Sequence, residues 1–337
     1  MQLHFFSPYG FAAELYPRAD SSVSGHIALL DESNRIGDDI TLAVALPPEA
    51  FGSTGFAVVG NTLADRYLRA IKHELAEVST FIDRNRTLSK VILTGNAALL
   101  SAPQLEELVE AIRSELSVTP STVVEACCHA EDTTLATVDL LRRLEFTAVT
   151  IRVTDFRFDV LEAVGQPAPA VPPAELVAYI RKRGRLDLAL ALEYGLPMQS
   201  YESVVETTTA AAALSPNRMV VRAMNPLRYA PSIVQKMESY GIPTTTETGF
   251  MRQDVANTLL AAGYTPLCSE LYVLSGSWQP TEAMRENALG LAIGNGPIVG
   301  VGAGSPTLVD NALLANAATP EAYIASVQAT GFGIPNY

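Results

Sequence analysis

The stretch Lys90-Val-Ile-Leu-Thr-Gly-Asn-Ala-Ala-Leu-Leu-Ser101 joins an apolar run typical of a strand to the first residue of an amphipathic helix. The run 91–94 predicts the strand. Ser101-Ala-Pro-Gln104 has the pattern of a capping box with a proline in the first helical turn. Apolar residues then recur at helical spacing, at Leu105, Leu108, Val109 and Ile112. The stretch therefore predicts a strand followed by a helix over about 101–116.

The same alternation continues along the chain. Further strands are predicted at 122–126, 148–153, 186–192, 219–222 and 244–246, and helices at 132–144, 201–214, 231–240 and 250–262. Strands that alternate with helices at this spacing form βαβ units with right-handed crossovers and a parallel sheet. Six or more such units curl the sheet into a partial or complete (β/α) barrel, in which ligands bind beyond the carboxyl ends of the strands.

Two regions depart from this alternation. Residues 18–60 have the pattern of an insertion with a candidate hairpin, and residues 280–337 contain a glycine-rich strand at 298–304 and a helix at 320–330. We therefore expect an α/β barrel domain over 1–280, with the insertion at about 18–60. A C-terminal α+β extension over 281–337 is expected to pack on the barrel.

The charge balance narrows the classes of partner. The 337 residues include 23 Lys and Arg against 36 Asp and Glu, a net charge of −13 that repels nucleic acid and anionic membranes. The first residues lack the basic and long apolar segments of a signal peptide, and no apolar run approaches the ~20 residues that cross a bilayer. We expect a cytoplasmic protein with a small-molecule ligand. A protein partner is the alternative.

In chain order, several segments resemble the radical SAM family of oxygen-independent coproporphyrinogen III oxidases and their haem-chaperone relatives. The segments are 90–101, similar to that family's glycine-rich strand end; Val124-Glu-Ala126, similar to E-A-N-P; Arg152-Val-Thr-Asp-Phe156, similar to G-V-Q-S-F; Glu193-Tyr-Gly-Leu-Pro-Met-Gln-Ser200, similar to Y-G-L-P-x-Q-T; and the late glycine-rich Gly300-Val-Gly-Ala-Gly-Ser305. The resemblance spans most of the chain and implies a barrel of the radical SAM type.

The family's cluster-binding motif is changed in this chain. Three cysteines in P-F-C-x-x-x-C-x-x-C hold a four-iron cluster in the family, and Gly10, Glu14 and Pro17 stand at the matching positions. Iron–sulfur clusters are held by cysteine thiolates, and glycine and proline have no ligand side chain. The chain's cysteines, Cys127, Cys128 and Cys268, are too few and wrongly spaced for a disulfide framework or a four-thiolate zinc site. We predict no iron–sulfur cluster and no radical SAM chemistry.

The resemblance also implies which residues face S-adenosylmethionine (SAM). Gly95 and Asn96 match the glycine-rich strand end, Glu125 matches the acid of the third strand, and Thr154 replaces the glutamine of G-V-Q. Gln166 and Ala191 replace an arginine and a ribose-binding aspartate, so most polar contacts are changed. SAM is therefore a candidate cosubstrate only. Haem or porphyrin carriage rests on the family analogy alone.

The predicted third strand carries polar groups at its carboxyl end. Strand side chains alternate, so Glu125, Cys127 and His129 share one face. A thiol beside a histidine is a candidate nucleophile, and the trio is a candidate divalent-metal site. The alternative is structural, because cysteine packs as a small apolar residue and His129 can cap the next helix. We predict no metal and place Glu125 and Cys127 among candidate catalytic residues, with His129 a binding residue.

Arg152 takes the place of the family's glycine in G-V-Q and, in the family's register, points into the barrel beside Thr154. A buried charge without a partner is costly. Arg152 therefore either holds a substrate carboxylate or phosphate or pairs with Glu125 or Glu193, and we count Arg152 and Glu193 as candidate catalytic residues. Asn225 is expected to bind ligand and Tyr9 to lie in a lid, whereas Arg222 is expected to pack outside.

Two functions follow from these patterns. In the first, the barrel is a non-radical enzyme acting on a small polar metabolite, with SAM as a candidate cosubstrate in alkyl-transfer chemistry. In the second, the chain is a catalytically inactive protein that binds a ligand or a partner. Interior charged residues favour a ligand-binding pocket, because a scaffold without a ligand needs none of them.

Overall fold

The computed structural model describes residues 19–51, 62–184, 186–226, 229–268, 270–276 and 296–335. Tyr9, Gly10, Glu14 and Pro17, singled out from the sequence, lie outside these residues. The chain divides into two compact units. The first comprises Met1–Cys127, Leu144–Phe146 and Leu289–Tyr337, and the second comprises Cys128–Arg143 and Thr147–Ala288.

Helices and strands alternate over most of the described residues. The helices are α1 (Val23–Ile36), α2 (Pro48–Phe51), α3 (Leu63–Thr80), α4 (Ala102–Glu115), α5 (Leu135–Arg143), α6 (Phe158–Ala163), α7 (Pro173–Arg183), α8 (Tyr201–Ala213), α9 (Pro231–Tyr240), α10 (Thr245–Ala261) and α11 (Pro320–Thr330). The strands are β1 (Ile40–Leu46), β2 (Leu88–Gly95), β3 (Val123–His129), β4 (Ala148–Thr154), β5 (Asp187–Tyr194), β6 (Arg218–Ala223), β7 (Tyr264–Pro266), β8 (Leu271–Leu274), β9 (Ile298–Val301), β10 (Pro306–Val309) and β11 (Ala312–Ala315).

The first unit contains strands in the order β11-β10-β9-β1-β2-β3. β9, β1, β2 and β3 are parallel, and β10 and β11 are antiparallel. All seven residues of β1 are buried, as expected for a central strand of a parallel sheet. α3 packs against α4 and α11 through a buried face with helical spacing, which includes Tyr67, Ile71, Leu75 and Val78.

The second unit contains strands in the order β4-β5-β6-β8-β7. β4, β5 and β6 are parallel, and the short β8 and β7 are antiparallel. α8 packs on α10, α5 on α7 and α6 on α9. The antiparallel strand β8 beside β6 ends the parallel run in this unit, and β10 beside β9 ends it in the first.

The structure confirms the predicted α/β class with a parallel sheet. Over 19–51, the described part of the predicted insertion, it contains α1 and β1 instead of a hairpin, and β1 pairs with both β2 and β9. The predicted strand at 244–246 is also wrong, because Thr244 and Glu247 form the capping box of α10. Among the described residues, no helix combines the length and the apolar character needed to cross a membrane.

Candidate functional site

The carboxyl ends of β3–β6 carry a group of polar side chains within the second unit. We name it the Arg152 cluster, consisting of His129, Arg152, Thr154, Glu193, Arg222 and Tyr229. β3 ends at His129, β4 at Thr154, β5 at Tyr194 and β6 at Ala223, so the strand residues of the cluster lie within the last three positions of their strands, and Tyr229 follows β6. Parallel α/β sheets bind ligands beyond this end of their strands.

Glu193 is the buried acid of the cluster. Its Oε1 atom accepts hydrogen bonds from Nε and Nη2 of Arg222, each at 3.1 Å, and its Oε2 atom accepts one from the Tyr229 hydroxyl. The Glu193 and Arg222 side chains are 3% and 7% exposed. Both carboxylate oxygens are therefore engaged, and the guanidinium compensates the buried charge.

Arg222 corrects a prediction made from the sequence. It was expected to pack outside, but the β5–β6 register pairs Glu193 directly with Arg222. Residues opposite each other on neighbouring strands share a face. Tyr229 was missed because it follows β6 in a loop, where no periodicity reports a side chain's direction. Asn225, expected to bind ligand, lies two residues beyond β6 and is half-buried.

Arg152 contacts two other members of the cluster, Thr154 and His129. Its Nε donates to the Thr154 hydroxyl at 3.1 Å, and its Nη1 lies 3.5 Å from Nε2 of His129. Burial disfavours the charged form, but nearby Glu193, Tyr229 and Glu131 raise the pKa of Arg152 above its ordinary value. The guanidinium is therefore charged throughout the physiological range and surrounded by partners that hold its position.

His129 lies between Arg152 and the acid Glu131. Because arginine only donates hydrogen bonds, Nε2 of His129 accepts and the neutral ring carries its proton on Nδ1, which lies 3.5 Å from Oε1 of Glu131. Burial, together with the charge of Arg152, lowers the pKa of His129 below its ordinary value. Burial opposes the charge of Glu131, but the hydrogen bond from His129 and the electrostatic interactions with His129 and Arg152 together outweigh it and lower the pKa of Glu131. The result is a chain of Arg152, neutral His129 and ionised Glu131.

His129, Glu131 and Asp132 offer ligand atoms within 4.8 Å of one another, which is the spacing of a metal site. A cation between these groups needs a lone pair on Nδ1 of His129. The hydrogen bond from Arg152 to Nε2 places the proton on Nδ1 instead. The arrangement therefore suits the Arg–His–Glu chain better than a metal ion.

Thr154 holds a strained backbone conformation beside Arg152. Its φ angle is +67°, and the β4–β5 register shifts between Arg152 and Thr154. A β-branched residue rarely adopts the left-handed region, and such strain costs of order 1–3 kcal/mol. The next residue, Asp155, anchors the turn by accepting hydrogen bonds from the Gln199 amide at 2.7 Å and the Thr207 hydroxyl at 2.8 Å. Sequence reasoning missed Asp155, although Gln199 belongs to the quoted Y-G-L-P-x-Q turn.

The candidate residues of the first unit are engaged in different contacts. Glu125 is fully buried, and its Oε2 lies 2.7 Å from Nζ of Lys90. Each is the third residue of its strand, so this ion pair lies in the amino-terminal halves of β2 and β3. Glu125 was expected to face ligand or to pair with Arg152. Its observed ion-pair partner is Lys90, which the sequence analysis had not considered.

Gly95 and Asn96 shape the end of β2. Gly95 has φ +84°, and a Cβ there would lie 2.1 Å from the carbonyl oxygen of Leu46, so this position requires glycine. The buried Asn96 donates its backbone N–H to the same oxygen at 3.0 Å, and its side chain accepts from the N–H of Ala98. In the structure both residues serve the backbone connection between β1 and β2.

The described cysteines do not fit a cluster held by three thiolates. Cys127 and Cys128 are adjacent in β3 and both buried, and consecutive strand residues point to opposite faces. Cys268 belongs to the second unit, between β7 and β8. Of the predicted site residues, the structure brings together His129, Arg152, Thr154 and Glu193, and it gives Glu125 a separate partner in the first unit.

Comparisons with known proteins identify relatives in one group. The chain is 26% identical over 246 residues to the oxygen-independent coproporphyrinogen III oxidase of Pseudomonas aeruginosa, covering 70% of this chain and 53% of that protein. It is 25% identical over 205 residues to the Synechocystis protein of the same name, covering 59% of this chain and 43% of the relative. The chain thus spans about half the length of these relatives. No family model matches it.

The fold is similar to that of the coproporphyrinogen III oxidase of Escherichia coli, which is a radical SAM enzyme. The two structures match with a TM-score of 0.78 at 19% identity, over 98% of this chain and 77% of the other. The sequence similarity and the shared fold together confirm the predicted resemblance.

Proposed function

We propose that this divergent relative of the oxygen-independent coproporphyrinogen III oxidases is a non-radical enzyme that binds a small polar metabolite at the carboxyl ends of β4–β6. The observation that carries the proposal is strained Thr154 beside a half-buried arginine in a cluster of ionised groups. Backbone strain persists where the surrounding structure enforces it, and it concentrates at functional sites.

The residue types of the Arg152 cluster support binding of an anion. A guanidinium presents a fork of donors that matches a carboxylate or phosphate. Apolar residues of similar volume replace buried ion pairs at little cost or with a gain in stability, so a scaffold alone gives no reason to keep them. We infer that Arg152 exchanges its bond to His129 for one to the ligand's anionic group.

His129 is then the candidate general base. Once Arg152 turns to the ligand, Nε2 of His129 has a lone pair to accept a proton, while Nδ1–H stays directed at Glu131. Its lowered pKa keeps the ring neutral, which is the form a base requires. Glu193 keeps its bonds to Arg222 and Tyr229 and supports the pocket wall.

A non-radical reaction follows from the available donors. Residues 10, 14 and 17 are glycine, glutamate and proline, and the chain's three cysteines lie elsewhere. A cluster would supply the electron for reductive cleavage of SAM, and these residues do not fit one. SAM is therefore proposed only as an ordinary alkyl donor, and the ion pair of Glu125 with Lys90 weakens even this role.

An inactive ligand-binding or partner-binding protein is the second candidate. The observation in its favour is that the Arg152 cluster satisfies itself, since Thr154, His129, Arg222 and Tyr229 all bond within it. Such a network needs no substrate to be stable.

Calorimetric titration with SAM, paired with mass spectrometry of small molecules that co-purify, tests the proposal. We expect a co-purified anionic metabolite that is retained by the wild type and by Lys182→Ala, an exposed cation on α7, but lost in Arg152→Ala. Retention of the metabolite by folded Arg152→Ala contradicts the anion site. If the wild type and Lys182→Ala bind the metabolite but neither converts it, the inactive protein is favoured.

A further inference from the structure

Glu74 on α3 is a fully buried carboxylate that the proposed function does not use. Its Oε1 atom accepts hydrogen bonds from the Gly333 N–H at 2.6 Å and from Nδ2 of Asn316 at 3.0 Å. Its Oε2 atom accepts them from the Gly302 N–H at 3.0 Å, the Tyr323 hydroxyl at 2.6 Å and Nδ2 of Asn316 at 3.1 Å. We name Glu74 and these four partners the Glu74 latch.

The latch joins α3 to distant parts of the chain. Its partners lie between 228 and 259 residues from Glu74 in sequence. They belong to the turn after β9, the segment after β11, α11 and the residues that follow α11. One carboxylate thus holds the C-terminal segments of the first unit against α3.

The latch also explains the glycine-rich sequence at 300–304. Gly302 has φ +96°, and a Cβ there would lie 2.8 Å from the Ala45 carbonyl oxygen and 2.9 Å from the Tyr67 hydroxyl. Its N–H is aimed at Glu74, and the next N–H, of Ala303, donates to Tyr67 at 2.7 Å. A loop of this kind commonly cradles an anion, and here the anion is the chain's own side chain.

We propose that Glu74 is a proton-linked latch. The C-terminal segments that it holds open away from α3 more readily as the pH rises towards neutrality. Opening exposes the carboxyl group to water, where it releases its proton. Closure takes up one proton from solvent, so the number of protons bound differs between the two forms.

The environment of Glu74 supports this direction. Burial raises its pKa from 4.5 to about 7, although the hydrogen bonds from Tyr323, Gly302, Gly333 and Asn316 pull it down. Above pH 4.5 an opened carboxyl group is ionised, while the closed one stays protonated up to about pH 7. Opening is therefore increasingly favoured between these limits and levels off above them.

Both protonation states have partners within the latch. The five bonds described above suit the carboxylate. A proton on one oxygen leaves the other to accept hydrogen bonds from its donors. The Asn316 amide keeps its orientation, because its Nδ2 also donates to the Gly302 carbonyl oxygen at 3.1 Å.

The other titratable groups near the latch do not titrate in this range or are paired apart from it. Burial raises the pKa of Tyr323 well above its ordinary value, and Tyr67 packs against its ring. Burial lowers the pKa of His26, which packs on Phe332, to about 4. On the exposed side of α3, His73 pairs with Glu77, whose stem packs against Gly331.

Hydrogen exchange of the Gly333 amide in the full chain tests the latch. After correction for intrinsic exchange rates, we expect its opening constant to rise about 40-fold between pH 5 and pH 7, as two pKa values of 4.5 and about 7 require. Glu74→Gln abolishes this dependence, because the amide does not titrate. Glu77→Gln, about one turn further along α3, is the control and retains the pH dependence of the opening constant.

Tyr323→Phe provides a second test that retains the carboxyl group. Loss of one donor weakens the ionised form, so the pH at which opening levels off moves upward. A wild-type opening constant independent of pH, or the same pH dependence in Glu74→Gln, overturns the proposal. An unchanged plateau in folded Tyr323→Phe overturns it as well.

Discussion

Glu193 and Glu74 are both buried carboxylates, but their partners differ in charge. Glu193, in the second unit, is bonded to the Arg222 guanidinium and to a tyrosine hydroxyl. Glu74, in the first unit, is bonded to two backbone N–H groups, an amide and a tyrosine hydroxyl, all neutral.

This difference separates two ways of burying an acid. A guanidinium supplies a full compensating charge, so removing the acid leaves a buried cation without its partner. Neutral donors stabilise a carboxylate only in part, and burial then raises the pKa of Glu74 to about 7. The first arrangement fixes charges in a site, and the second permits titration near neutral pH.

Replacement of Glu193 has the largest expected effect. Glu193→Gln leaves Arg222 buried without its carboxylate and removes a negative charge near Arg152, so we expect a loss of about 3–5 kcal/mol in the free energy of unfolding. Urea denaturation measures it. Glu247→Gln, in the exposed capping box of α10, is the control and is expected to destabilise the protein far less. A similar small loss for Glu193→Gln would mean that the pair contributes little.

A pH series distinguishes the two acids in the wild-type chain. The folded pKa of Glu74 lies above its unfolded value, so its contribution to stability is complete below pH 4.5 and is lost as the pH rises to about 7. The shift of about 2.5 units corresponds to about 3 kcal/mol. Urea denaturation at pH 5 and pH 8 should show most of this loss in the wild type relative to Glu74→Gln. Parallel profiles for the two proteins would contradict the assignment.

Backbone strain supplies the smallest effect. In the turn after β9 the positive φ angles fall on glycines, Gly302 and Gly304, whereas Thr154 at the end of β4 and Met198 after β5 have positive φ angles without being glycine. Met198→Gly removes strain in an exposed turn without breaking a described bond, so we expect a gain of about 0.5–1 kcal/mol in the free energy of unfolding. Thermal unfolding checks it, with Met198→Ala, which keeps a Cβ, as the matched control. A loss of stability in Met198→Gly would show that the side chain packs more than its exposure suggests.

Much of the fold could be predicted because its signals are local. The capping box at Ser101, the helical spacing of Leu105, Leu108, Val109 and Ile112, and the apolar runs of β2–β6 all appear in the structure as expected. The errors arose where local pattern was ambiguous. The three threonines at 244–246 favour a strand by type, but Thr244 and Glu247 form a cap instead.

The candidate site was less predictable. Arg152, Thr154, His129 and Glu193 were identified from strand ends and from the family resemblance. Arg222 was assigned to the wrong face, and Lys90 was not considered as the partner of Glu125. Each error concerns a contact across strands, which depends on register, and a shift of one residue reverses the face of every side chain.

The sequence alone determined the order of strands and helices from β2 to α9, the α/β class and the relationship to the coproporphyrinogen oxidases, because periodicity, caps and motifs are encoded over a few residues. Tertiary structure alone decided which charges meet. Glu74 lies within an amphipathic helix and takes its partners from residues 302–333, a choice that no local pattern contains. Burial and pairing depend on chain segments that only folding brings together, and these set the pKa of a carboxyl group.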